Sequence, residues 1–232
     1  YPQALTSFER FLSTAQSVNY ERDTRLRMGD SHFVLKAYWP AMDQYEKATV
    51  LQPQKGTYAM FQQAISYGFV NRTQQKIALL QDIINQFPNS NLVDDCQFEL
   101  ALAYTKLDDT TNAIATYDAL IGQFADSPYR SKSLLNKGLI LFNNEAPLEA
   151  NTVLKQLVET YPNEALAQQA LQTVKEIAIE QNTVDAFSAW LKGIDVATIP
   201  DLEIEKASFD AIERLLNDGK KKPLKRALQS YL

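Results

Sequence analysis

One cysteine, one histidine and seven glycines in 232 residues remove several kinds of chemistry from consideration. Cys96 has no second cysteine with which to form an intramolecular disulfide, so the redox compartment cannot be read from it. Its expected role is that of a small buried apolar side chain. His32 by itself cannot build a histidine metal site, because such sites need several converging ligands. No nucleophile motif accompanies it, which argues against a Ser–His–Asp or Cys–His centre. No glycine-rich phosphate loop occurs. No apolar run reaches the about 18 residues that a membrane-spanning helix needs. There is no signal-peptide pattern and no initial Met. A basic excess is also missing: 23 Lys and Arg stand against 28 Asp and Glu, for a net charge of −5. A general nucleic-acid binder would carry the opposite balance, concentrated on one face. The expectation is a protein with no catalytic residues, no cofactor, no metal and no nucleic-acid partner.

What the chain does have is a period. Ala41, Tyr45, Ala48 and Pro53 stand at offsets 0, 4, 7 and 12. Ala113, Tyr117, Leu120 and Ala125 have the same offsets, as do Ala150, Leu154, Leu157 and Pro162. Lys76, Leu80, Ile83 and Pro88 form a weaker copy, and Ala4, Phe8, Phe11 and Gln16 a leading one. The starting positions 4, 41, 76, 113 and 150 are 37, 35, 37 and 37 apart. Offsets 0, 4 and 7 fall on one helical face. A small residue there lets a neighbouring helix approach, and proline at offset 12 ends the helix. A second pattern stands twelve and nine residues ahead of each start: Gly29 and His32, Ala64 and Tyr67, Ala101 and Tyr104, Gly138 and Leu141. Each unit therefore reads as two helices with a small residue at their crossing. A fixed period in this range marks a stacked repeat array, and 45% hydrophobic content suffices for a substantial core.

This pattern resembles the tetratricopeptide repeat, a helix–turn–helix unit, over roughly residues 1–162. The first-helix tryptophan of that family is absent, and Lys76 replaces its small residue in one copy. The joints Phe87-Pro88-Asn89-Ser90, Phe124-Ala125-Asp126-Ser127-Pro128-Tyr129 and Tyr161-Pro162-Asn163-Glu164 are similar to those of bacterial cell-envelope tetratricopeptide proteins of the BamD and CpoB type. Ser90 and Ser127 are expected to cap the helices that follow, with Pro128 at a first helical position. The resemblance implies an all-α, right-handed superhelical array of helix–turn–helix repeats. The expected organisation is a repeat array over 1–192, a connector over 193–201 and a final truncated hairpin over 202–232. Within the array, 1–16 reads as the second helix of a truncated repeat. Full repeats occupy about 22–55, 57–90, 94–127 and 131–164, and a degenerate hairpin 165–192. Both ends fall inside repeats, so the chain reads as a segment of a longer array.

In the tetratricopeptide family the first helices line the concave face. Carried onto this sequence, that implies a partner-binding strip of Phe61, Ile65, Phe69, Phe98, Leu102, Thr105, Leu135, Leu139 and Phe142. The carboxylate clamp of chaperone-binding relatives is not rebuilt, because Phe61, Phe98 and Leu135 stand where its donors would be. Asp94, Asp95 and Glu99 read as charges favourably placed at a helix N-terminus. Trp39 and Trp190 read as packing residues, and Lys220-Lys221-Lys222 with Lys225 and Arg226 as a solvated turn. The function expected is non-catalytic docking of a protein or peptide segment. The envelope resemblance implies the periplasm or outer membrane of a Gram-negative bacterium, with a cytoplasmic location as the alternative. Two other readings stand beside it: a recognition segment of a larger cell-wall enzyme, or a self-assembly module that forms a homo-oligomer through its truncated repeat ends.

Overall fold

The computed structural model describes residues 1–14, 17–194 and 201–219. Among them it contains twelve α-helices and no strand. Contacts gather the chain into two compact units, Tyr1–Tyr129 and Arg130–Leu232. In the first unit, α1 (Pro2–Leu12) precedes three hairpins: α2 (Val18–Val34) with α3 (Tyr38–Leu51), α4 (Thr57–Phe69) with α5 (Thr73–Gln86), and α6 (Val93–Lys106) with α7 (Thr110–Gln123). In the second unit, α8 (Arg130–Asn143) pairs with α9 (Pro147–Thr160), and α10 (Ala165–Glu180) with α11 (Val184–Lys192). The last described helix, α12 (Asp201–Asn217), packs on α10 and α11. Most of the expected connector, 195–200, and everything from residue 220 onward lie outside the described residues, the lysine run included.

The residues at offsets 0, 4 and 7 form the core. Ala41, Tyr45 and Ala48, then Ala113, Tyr117 and Leu120, then Ala150, Leu154 and Leu157 are all fully buried, as are Leu80 and Ile83. The small residue of each first helix explains how they fit. A Cβ on Gly29 would stand 2.5 Å from Tyr45 Cε1, and one on Gly138 would stand 2.4 Å from Leu154 Cδ2. Those side chains occupy the space a methyl group would need. In α4–α5 and α6–α7 an alanine, Ala64 or Ala101, holds the same place and is itself fully buried.

The turn inside every hairpin is built one way. Lys36, Asn71, Asp108, Glu145 and Asn182 have φ between 55° and 60°, and they recur at intervals of 35, 37, 37 and 37. After each, a backbone N–H reaches back five residues: Ala37 to His32, Arg72 to Tyr67, Asp109 to Tyr104, Ala146 to Leu141 and Thr183 to Ala178. This is the left-handed helix stop, in which carbonyls left over at the helix end find donors. Glycine usually fills such a position, and none of the five is glycine. The hairpin that looks degenerate in sequence, α10–α11, has the same stop at Asn182.

Three local expectations are corrected. Leu92, not Ser90, is the residue before α6, and no side chain caps that helix. Ser90 Oγ instead accepts from Leu92 N at 3.3 Å, and Ser127 Oγ from Tyr129 N at 3.2 Å, so both serines shape the turn ahead of the helix. Pro128 stands two residues before the start of α8 rather than inside it. Trp39 is exposed rather than packed, because Tyr38 beside it takes the inward position against Phe33 and Phe69.

Gly138→Ala is expected to destabilise the chain by about 1–3 kcal/mol, since overpacking against buried Leu154 outweighs the gain in helix propensity. Gly122, in α7, is exposed, and a methyl group added there would meet nothing within 4 Å. Gly122→Ala should leave stability unchanged or raise it by up to about 1 kcal/mol. Urea unfolding of the two variants checks the contrast.

Candidate functional site

The expected strip divides by burial. Phe98 and Leu135 are only 9% and 4% exposed. Phe98 stacks on Tyr129 at 4.7 Å and meets Tyr117 edge-on at 6.4 Å, so its ring belongs to the core. Phe61 is half-buried against the cluster of Met60, Leu80, Ile83 and Leu100. Thr105 is half-buried, its hydroxyl donating to the Ala101 carbonyl at 2.8 Å. Leu139 and Phe142 are half-buried on α8 in the second unit. Ile65, Phe69 and Leu102 are the three that meet in one place.

That place is a groove of about 300 Å³ in the first unit. Ile65, Gly68 and Phe69 of α4 form one wall, and Leu102, Ala103 and Lys106 of α6 form the other. Thr73 and Lys76 of α5 reach its floor, with Glu99 of α6. Lys76 Nζ donates to Glu99 Oε2 at 2.5 Å, with the two side chains 12% and 28% exposed. Lys76 stands where α3, α7 and α9 carry Ala41, Ala113 and Ala150. Its stem runs past Gly68, where an added Cβ would lie 3.3 Å from Lys76 Cδ. The oversized residue at the crossing is thus accommodated by a missing side chain opposite, and its charge is carried across to the next hairpin. Taking two charges partly out of water costs free energy that their attraction only roughly returns. The pair therefore contributes register and polarity to the groove more than stability.

Phe69 also closes an aromatic cluster at the end of the hairpins. Its ring stacks on Tyr38 at 4.6 Å and meets Phe33 edge-on at 5.6 Å. Sequence reasoning missed the Lys76–Glu99 pair, although the lysine at a small-residue position was a visible signal. It also read Asp94 and Asp95 only as helix N-terminal charges. In the fold they tie down the following joint: Ser127 Oγ donates to Asp94 Oδ2 and Tyr129 Oη to Asp95 Oδ1, each at 2.7 Å. A similar tie in the first hairpin uses Asp30 Oδ1, which accepts from Tyr45 at 2.9 Å and Tyr58 at 2.8 Å.

These contacts move the titration of their donors. Tyr129 is pushed up to about 12, first by its hydrogen bond to Asp95 and then by burial. Tyr58 is pushed up to about 12 by burial and by Asp30, and Tyr45 is driven higher by the same two causes. Burial, with Asp95, Asp94 and Glu99 nearby, pushes the Cys96 thiol up to about 12. Cys96 therefore stays protonated and inert at neutral pH. Among the described residues no three His, Cys, Asp or Glu side chains gather in a way that could hold a metal ion.

The paired helices, their common turn and the small-residue crossings define a helical-repeat protein of the tetratricopeptide type, and solved structures share that fold. The crystal structure of the MamA protein aligns with a TM-score of 0.61 at 13% identity, covering 88% of this chain and 97% of that one. A tetratricopeptide repeat protein from Parabacteroides merdae ATCC 43184 aligns at 0.58 with 10% identity, covering 90% and 99%. The tetratricopeptide-like repeats of a putative kinesin light chain from Podosopora anserina align at 0.57 with 14% identity, covering 77% and 94%. No curated protein matches the chain closely enough to count as a relative. The family model YfiO, described as an outer membrane lipoprotein, matches residues 52–182, more than half of the 232. The chain belongs to the YfiO outer membrane lipoprotein family.

Two measurements test the polar contacts. Lys76→Met alone strands Glu99 in the groove and should cost about 1–2 kcal/mol, while Lys76→Met with Glu99→Met should lie within about 1 kcal/mol of the parent. A double-mutant cycle by urea unfolding reads both. Tyr58 and Tyr129 ionise near about 10 when unfolded and near about 12 in the fold. Their contribution is complete below the unfolded value and lost as pH rises through the folded one. Stability should fall between about pH 10 and 12, and Tyr129→Phe should flatten that fall while keeping the stack on Phe98.

Proposed function

We propose that the chain is a non-catalytic interaction scaffold of a bacterial envelope complex, and that it docks a partner segment in the groove of α4, α5 and α6. The observation that carries this reading is the groove itself: Ile65, Phe69 and Leu102 converge on one cavity that the chain's own side chains leave unfilled. An apolar groove between helices takes the anchors of an amphipathic helix or an extended segment. A few polar groups among apolar walls fix the orientation of what binds, and Lys76, Glu99 and Lys106 are placed for that. Membership of an outer membrane lipoprotein family supports an envelope location. The accessible strip is narrower than the sequence implied, since Phe98 and Leu135 serve the core.

The test is crosslinking and pull-down from envelope extract of the native cell. Phe69→Glu with Leu102→Glu should abolish capture of the specific partner and leave helicity unchanged, because Phe69 is exposed and Leu102 half-buried. Exposed Leu148→Glu in the second unit is the control and should capture as the parent does. Equal capture by the groove variant would refute the groove as the docking site.

A further inference from the structure

The turn edge of the first two hairpins carries a combination that the groove does not explain. At the end of α2, Val34 and Leu35 are exposed, and at the start of α3 Trp39 is 57% exposed. At the end of α4, Phe69 is 57% exposed. Lys36 and Arg72 stand between them in the two turns, both exposed. Single exposed apolar residues are ordinary on a protein surface, but these stand at the turns of two adjoining hairpins. Tyr38 and Phe69 stack across the two hairpins at 4.6 Å, and Lys106 Nζ donates to Asn71 Oδ1 at 3.0 Å from the third.

The edge is cationic although the chain is acidic. Neither Lys36 nor Arg72 has an ion-pair partner among the described residues. The nearest carboxylates on the same helices are engaged elsewhere. Asp30 accepts from Tyr45 and Tyr58, and Asp43 pairs with Lys47. Asp108 and Asp109 bound the edge at the third hairpin, and Asp109 is occupied in capping α7 through Asn112 N at 3.2 Å. Exposed Trp and Phe interleaved with Lys and Arg is the chemistry of a membrane–water interface. The rings settle at headgroup depth, and the cations meet lipid phosphates while their stems lie along apolar surface. No described helix is long and apolar enough to cross a membrane.

We propose that this edge, centred on Trp39, Phe69, Lys36 and Arg72, seats the first unit on an anionic phospholipid surface. The net charge of −5 makes the binding orientational. Acidic faces are repelled by the same membrane. The Lys220-Lys221-Lys222 run is a second basic cluster in the sequence, outside the described residues. Lys36→Glu with Arg72→Glu leaves it intact, so that variant separates the two. The seating requires no partner segment in the groove.

The test uses the full chain and vesicles of phosphatidylethanolamine with phosphatidylglycerol, against vesicles of phosphatidylcholine alone. The expected result is co-sedimentation with the anionic vesicles, weakened several-fold by high salt. The chain has two tryptophans. Trp190 already donates to Glu159 at 2.6 Å and lies under Lys155 at 4.4 Å, so Trp39 is the reporter. Its emission should shift to the blue on binding, and the shift should persist in Trp190→Phe. Lys36→Glu with Arg72→Glu should lower binding by about tenfold or more, and Trp39→Ser by several-fold. Both variants should keep the parent's circular dichroism and melting temperature, since all three side chains are exposed. Absence of binding to anionic vesicles at low salt overturns the proposal, as does binding by both variants equal to the parent. None of these substitutions touches the groove walls, so failure of this edge leaves the groove reading standing.

Discussion

Four of the described hairpins, α2–α3, α4–α5, α6–α7 and α8–α9, carry at the crossing a residue with little or no side chain, Gly29, Ala64, Ala101 or Gly138. Gly29 beneath Tyr45 and Gly138 beneath Leu154 are the tightest instances, with no room for even one methyl group. That approach sets how near the two helices come, and so which side chains of the next hairpin can be packed against them. The residues at offsets 4 and 7 of α3, α5, α7 and α9 are fully buried against such first helices. The left-handed stop inside the five described hairpins, from α2–α3 to α10–α11, returns the second helix at a fixed point after the first.

The groove arises where this rule is broken. Lys76 is too large and too polar for its place, so Gly68 leaves room for its stem and Glu99 receives its charge. A cavity opens at that point, with Phe69 and Leu102 in its apolar lining. A half-buried ion pair is a poor way to gain stability, and α3, α7 and α9 carry alanine at that position. The irregular repeat and the candidate docking site are the same feature seen from inside and outside.

The two proposed surfaces share Phe69 but ask different things of it. Within the groove its ring is a wall, and on the turn edge it continues a line of exposed aromatic and basic side chains. One chain can serve both because the groove opens between hairpins while the edge runs along their ends.

The sequence by itself determined the repeat, the helix pairs and the core faces. These depend on spacing along one chain, and a period of small and large residues is legible wherever it occurs. Tertiary structure decided which strip residues are accessible. Phe98 and Phe69 look alike in sequence, yet one ring is locked between Tyr117 and Tyr129 and the other lies at an open edge. It decided that the serines of the joints shape turns rather than cap helices, and that Lys36, Asn71, Asp108, Glu145 and Asn182 hold a backbone shape glycine would have announced. The physical reason is distance along the chain. Local spacing fixes the face on which a side chain lies, but what covers that face comes from residues in another hairpin, whose approach only the folded chain sets.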